Sequence, residues 1–314
     1  MARTVAWPAY KKERLFAAAG LALLIVAPYV VYPAFLTKVL CFCLFACAFN
    51  LLSVSTGLLS FGHAAFFGAA AYAAGHAAKV WGFPFEAALA FGTGTASVLG
   101  LAFGYVSIRR QGIYFAMITL ALAQMVYFVA LQSPFTHAED GLTAIPRGHL
   151  LGFIDLDNDM AMYFTAAGIF LAGYLLIQRI VNSPFGRILR GIRENENRAI
   201  SLGFRVDAYK LMAFTLSAAL AGLAGSTKAL ATHLATLNDV HWGTSGNVLL
   251  MALLGGSETL FGPVVGAVLV TTLEDYLAAS GLPVPLVIGT IFILCILLFR
   301  RGIVGEIRRL LKLD

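Results

Sequence analysis

Lys228 lies in "SAALAGLAGSTKALAT" (217–232), where its neighbours are apolar or small. A charge inside an apolar helix is costly and marks a functional candidate. Two roles are open to it. Its ammonium either reaches water along the methylene stem, or it faces a solute path and attracts a carboxylate or another anion, with His233 five residues on to join it. His63, in "SFGHAAFFG", has two readings as well: a packed, hydrogen-bonded histidine at a helix start, or a residue near an inner gate. Asn50, Thr119 and Gln124 would hydrogen-bond between helices, and Asn50 and Gln124 are also path candidates. Glu274 and Asp275 either mark a membrane interface or relay protons as a lone carboxylate pair.

Signatures of catalysis are missing from the sequence. "GLAGSTK" (222–228) has the wrong spacing for a phosphate-binding loop and lies within an apolar run. There is no H-E-x-x-H and no G-x-S-x-G. Cys41, Cys43 and Cys47 share one apolar run without a His or carboxylate, and Cys295 lies in another, so all four read as small buried residues rather than metal ligands. No catalytic residue, metal site or cofactor is expected in this chain.

The densest charge is in "SPFGRILRGIRENENRAISLGFR" (183–205), with five arginines and two glutamates in a chain that is 12% charged. Ser183 followed by Pro184 is a helix start. Arg187, Arg190 and Arg193 with Glu194 recur at helical spacing, while Ile188, Leu189 and Ile192 form the opposite face. A second short helix over about 194–202 would stop at Gly203. Taken by itself, the pattern fits either a basic helix on anionic lipid heads or a shaped docking surface.

The rest of the chain sets the context. Its 314 residues are 60% hydrophobic with mean hydropathy +0.83, which points to an all-α integral membrane protein rather than soluble domains. Ten segments (a range of eight to ten) approach the ~20 residues of a membrane span: 15–33, 37–56, 62–80, 84–107, 112–132, 160–180, 209–231, 244–257, 262–279 and 284–299. Segments 62–80 and 244–257 are the weakest, and one of them is a re-entrant candidate. With both termini cytoplasmic, eighteen of the 22 Lys and Arg residues fall on the inner side, as the positive-inside rule requires. The exceptions are Lys38, Lys79, Arg147 and Lys228. The basic net charge of +6 is thus a topology signal, and nucleic acid is not an expected partner. No cleavable signal peptide is expected. The chain reads as one transmembrane domain, with an external loop at about 133–159.

Three ordered stretches carry a resemblance. "SPFGRILRGIRENENRAISLGFRVDAYKLMAFTLSAALAGLAG", "LLSVSTGLLSFGHAAFFGAAAYAA" and "LLMALLGGSETLFGPVVGA" resemble the branched-chain amino acid ABC-transporter permeases of the LivM type. The resemblance implies a permease subunit of a binding-protein-dependent importer in the bacterial inner membrane. It also implies a second, LivH-type permease, two cytoplasmic ATP-binding subunits that hold ATP and Mg, and a periplasmic substrate-binding protein. Segment 183–205 would be the coupling segment, with Arg190, Arg193, Glu194, Glu196 and Arg198 contacting an ATPase subunit and Gly203 turning the chain back. The related permeases usually carry a small apolar residue where this chain has Lys228. A branched-chain or other amino acid is the expected substrate, with urea, an amide or a carboxylate as alternatives. The competing class is a secondary transporter driven by an ion gradient.

Overall fold

The computed structural model describes residues 20, 24–150, 152–257, 259–280, 284–298 and 302–310. The start of the first expected span, the basic residues Arg3, Lys11, Lys12 and Arg14, and Arg300, Arg301 and Lys312 lie outside the described residues, as do the side chains of Cys295, Arg308 and Arg309.

Thirteen helices carry labels here, in chain order: α1 Pro33–Thr56, α2 His63–Lys79, α3 Phe85–Ser107, α4 Gly112–Gln132, α5 Asp159–Asn182, α6 Pro184–Glu194, α7 Glu196–Ser201, α8 Val206–Thr232, α9 Leu237–Val240, α10 Trp242–Gly255, α11 Gly262–Ser280, α12 Val284–Leu298 and α13 Gly302–Leu310. Among the described residues, five of these (α1, α3, α4, α5 and α8) are long and apolar enough to cross a membrane. Of the ten expected crossings, the first lies partly outside the described residues, five are these helices, and the remaining four fall on the shorter α2, α10, α11 and α12. Of the shorter ones, α2 has 17 residues and α10 has 14. At ~1.5 Å per residue they fall short of a ~30 Å hydrocarbon core.

An antiparallel seam of small residues joins α3 to α8. A β-carbon built on Gly92 would lie 2.2 Å from Ser226 Oγ, one on Gly222 would lie 2.2 Å from Ala96 Cβ, and one on Gly100 would lie 2.3 Å from Ala218 Cβ. Four-residue spacing on both helices brings the backbones into contact, which is how apolar helices associate without a hydrophobic driving force. Ala96 and Gly222 thus mark the mid-depth of the bundle.

Against that reference, α2 and α10 both begin inside. His63, the first residue of α2, bonds Ser217 of α8 at 2.9 Å, about a turn and a half from Gly222. The fourth helical position of α10 lies at the same depth, since the Ser245 hydroxyl accepts the Ala64 N–H at 2.8 Å. Gly68 of α2 is pressed against Asp239 and Val240, where a β-carbon would meet Val240 Cγ2 at 2.4 Å. From this shared level α2 runs toward the end of the bundle that holds residues 133–159, and α10 runs toward the end that holds 183–205. Short strands dress the former end: β1 Leu142–Thr143 pairs with β4 Leu234–Ala235, and β2 His149–Leu150 pairs with β3 Ile154–Asp155.

Candidate functional site

In segment 183–205, the Ser183 hydroxyl accepts the Gly186 N–H at 3.3 Å with Pro184 in the first turn, so α6 starts as its sequence dictates. Leu189 and Ile192 turn inward, and Ile192 packs with Ala199 and Val206. Asn195 breaks the helix in an extended conformation, and its side chain accepts the Arg198 N–H at 2.9 Å, which caps α7. Gly203 adopts φ 85°, and the bonds Gly203 N–H to Ile200 O and Phe204 N–H to Ala199 O close a left-handed helix end.

Three of the charged residues expected at an ATPase are bonded within the chain. Arg193 donates to Val54 O at 2.8 Å, and its stem crosses Gly57, where a β-carbon would lie 3.3 Å from Arg193 Cγ. Gly57 has φ 73° and ends α1. Glu196 Oε2 receives Lys210 of α8 at 2.6 Å and Gln111 of the α3–α4 turn at 2.5 Å. Arg190 donates to Val181 O at 2.8 Å. Glu194 and Arg198 are exposed, and their side chains line a groove of about 320 Å³ with Ile188, Leu202 and Phe204. Leu202 is 70% exposed and Ile200 56% exposed, so an apolar, charge-rimmed surface faces outward.

The path candidates separate cleanly. The Lys228 ammonium neither reaches solvent nor stands free: it bonds both Asp239 oxygens, at 2.9 and 2.7 Å, with both side chains about nine-tenths buried. The 237–240 turn re-enters the bundle and brings the carboxylate to it. His233 is the left-handed residue that ends α8, and its Nδ1 bonds Ile145 O at 2.8 Å. His63 is fully buried among Phe49, Phe66 and Phe214. The Ser217 hydroxyl gives its proton to Ala48 O at 2.6 Å, so His63 Nε2 is the donor to Ser217. Asn50 Nδ2 donates to Thr259 O at 3.4 Å. Gln124, by contrast, is exposed on α4, and no hydrogen bond engages its amide among the described residues. Glu274 accepts from Asn247 at 2.9 Å, and Asp275 pairs with Lys38 at 2.6 Å, so both carboxylates are engaged within the chain. Among the described residues no cluster of metal-ligand type occurs.

Two structural ion-pair members escaped sequence reasoning. Asp239 carried a signal, because "TLND" (236–239) is a capping box: Thr236 N–H and hydroxyl both bond Asp239 Oδ2, at 2.9 and 3.1 Å. Lys210 stands in the sequence as one more topology charge, and its 3% exposure is a tertiary fact that no local pattern announces.

The family model described as "Branched-chain amino acid transport system / permease component" matches residues 32–300. The high-affinity branched-chain amino acid transport system permease protein LivM of Escherichia coli is 25% identical to this chain, over 96% of the chain and 77% of the relative. Its Salmonella typhimurium counterpart is 24% identical over the same shares. A solved structure, PsaBC from Streptococcus pneumoniae in complex with Fab, aligns with 88% of this chain and 95% of its own, at 16% identity and TM-score 0.46.

Proposed function

Since the chain belongs to the branched-chain amino acid transport system permease family, a family of multi-pass permease subunits of ABC importers, we propose that it forms the translocation path for branched-chain or related amino acids. In this reading it pairs with a LivH-type permease in the bacterial inner membrane and keeps both termini cytoplasmic. Two ATP-binding subunits hold ATP and Mg, and a periplasmic binding protein delivers the substrate. The chain itself supplies no chemistry.

The observation that carries this reading is the way α6 and α7 are held. Glu196 ties them to α8 and to the α3–α4 turn, and Arg193 ties them to the end of α1. A segment fixed to three membrane helices at its inner side, with Glu194, Arg198 and Leu202 presented at its outer side, transmits a push from an ATPase as a rigid handle. Charge-assisted bonds at the rim and an apolar centre suit a protein partner.

The test is purification of the tagged chain from native membranes, with its companions identified by mass spectrometry. Two ATPase polypeptides and a second permease are the expected companions. A chain that purifies alone and transports in ATP-free vesicles under an ion gradient overturns the reading. Ligand screening of the binding protein encoded alongside then decides among an amino acid, a urea-like amide and a carboxylate.

A further inference from the structure

On α4, Phe115, Thr119, Ala123 and Ala130 are buried, Leu122 and Val126 pack partly against the core and Tyr127 meets His241, while the opposite side of the helix is exposed. On the uncovered side, Tyr114, Met117, Ala121, Gln124 and Phe128 recur at spacings of three and four, so they share one helix face. Gln124 stands near the midpoint of the 21-residue helix, exposed, with an unbonded amide. Hydrocarbon offers that amide nothing to bond. The contrast with α3 is informative. There the exposed Thr95 donates to Phe91 O at 2.9 Å within its own helix, as a lipid-facing hydroxyl must. A Gln amide has more donors and acceptors than its own helix can satisfy. Toward the 183–205 end the same face borders an open surface groove of about 470 Å³ lined by Arg110, Tyr114, Met117, Ile118 and Ala121.

We propose that this face of α4 is a wall of the solute path, on which Gln124 hydrogen-bonds the amino-acid backbone and Met117 and Phe128 receive an aliphatic side chain. The proposal rests on the importer reading above. The wall carries no charge from Tyr114 to Phe128, so a zwitterion passes without being trapped. Methionine adapts to side chains of differing shape. Arg110, at the mouth of the groove, draws the carboxylate onward.

The test uses the assembled complex with its ATPases and partner permease in proteoliposomes, with native cysteines replaced. M117C, Q124C and F128C are compared with V98C on α3, a control 69% exposed on a helix whose exposed hydroxyls bond their own backbone. A charged, membrane-impermeant thiol reagent is expected to label the three α4 sites at least tenfold faster than V98C. Saturating branched-chain substrate is expected to slow Q124C severalfold. Labelling at the V98C rate makes the face lipid-bound and overturns the proposal. Shielded sites that cross-link to the partner permease make it a dry interface, which overturns it equally. In a separate readout, Q124A raises the KM for import about tenfold; an unchanged KM counts against the assignment. If the wild-type complex imports no amino acid, the importer reading fails on its own, whatever the accessibility pattern.

Discussion

Lys210 and Glu196 sit fourteen residues apart and meet at 2.6 Å, with the lysine side chain 3% exposed and the glutamate 25% exposed. One is embedded in a long apolar helix, and the other opens the short helix α7. The contact joins the most polar segment of the chain to α8, which packs along both α3 and α2.

Reversing that contact is expected to separate hydrolysis from transport. Glu196→Lys places two ammonium groups together at a buried site and frees α7 from α8. In the reconstituted complex ATP hydrolysis should persist while import falls at least tenfold. The swap Glu196→Lys with Lys210→Glu should recover a substantial part of import. Wild-type transport by the single variant would remove Glu196 from any coupling role.

Lys228→Met leaves the Asp239 carboxylate buried without its cation, a change that costs about 3–5 kcal/mol when a buried pair is broken. A clear fall in the thermal unfolding temperature in detergent is expected. Lys228→Met with Asp239→Asn removes both charges and should regain most of that loss. If the double variant imports every substrate with wild-type kinetics, Lys228 is a structural fastening and has no part in the path.

The seam between α3 and α8 should tolerate nothing larger than its present residues. Gly222→Leu drives a branched side chain into Ala96, whose Cβ already lies 2.2 Å from the position of a β-carbon, and folded yield in membranes should collapse. Gly94→Leu, on α3 two residues from Ala96 but where nothing lies within 4 Å of a built β-carbon, should express normally. Equal yields would refute the close-packing account.

Ser245→Ala removes the acceptor for the Ala64 N–H at a fully buried helix start. A loss of about 1–2 kcal/mol is expected, the usual range for a lost helix cap. Hydrogen exchange at the first turn of α2 should rise selectively; an unchanged exchange rate there means another group has taken over the cap.

Much of this architecture was legible in the residues. Apolar runs gave the helices to within a few positions, because length and hydropathy decide what spans a bilayer. Ser183 with Pro184, and Gly203, gave the ends of the charged segment, because caps are local. What escaped was non-local. The mid-depth start of α10 depends on the 233–241 segment folding back into the bundle, and no pattern in "HLATLNDVH" reports depth. For the same reason Lys228 was read without Asp239. Arg193 and Glu196 looked like surface charges because their internal partners, Val54 O and Lys210, are distant in the chain or look like ordinary topology signals.

Arg147 donates to Ala231 O, Leu156 O, Asp157 O and Asp159 Oδ1, and is itself 5% exposed. One side chain thereby staples the base of the 148–156 hairpin to the last turn of α8. Phe153 at the tip of that hairpin is 92% exposed and bears on nothing inside the bundle. The hairpin tip is thus mechanically decoupled from the spanning helices. Changes at the exposed tip residues Gly152 and Phe153 can accumulate while Arg147 keeps the scaffold in register, so this is a place where what the molecule meets can diversify without retuning how it moves.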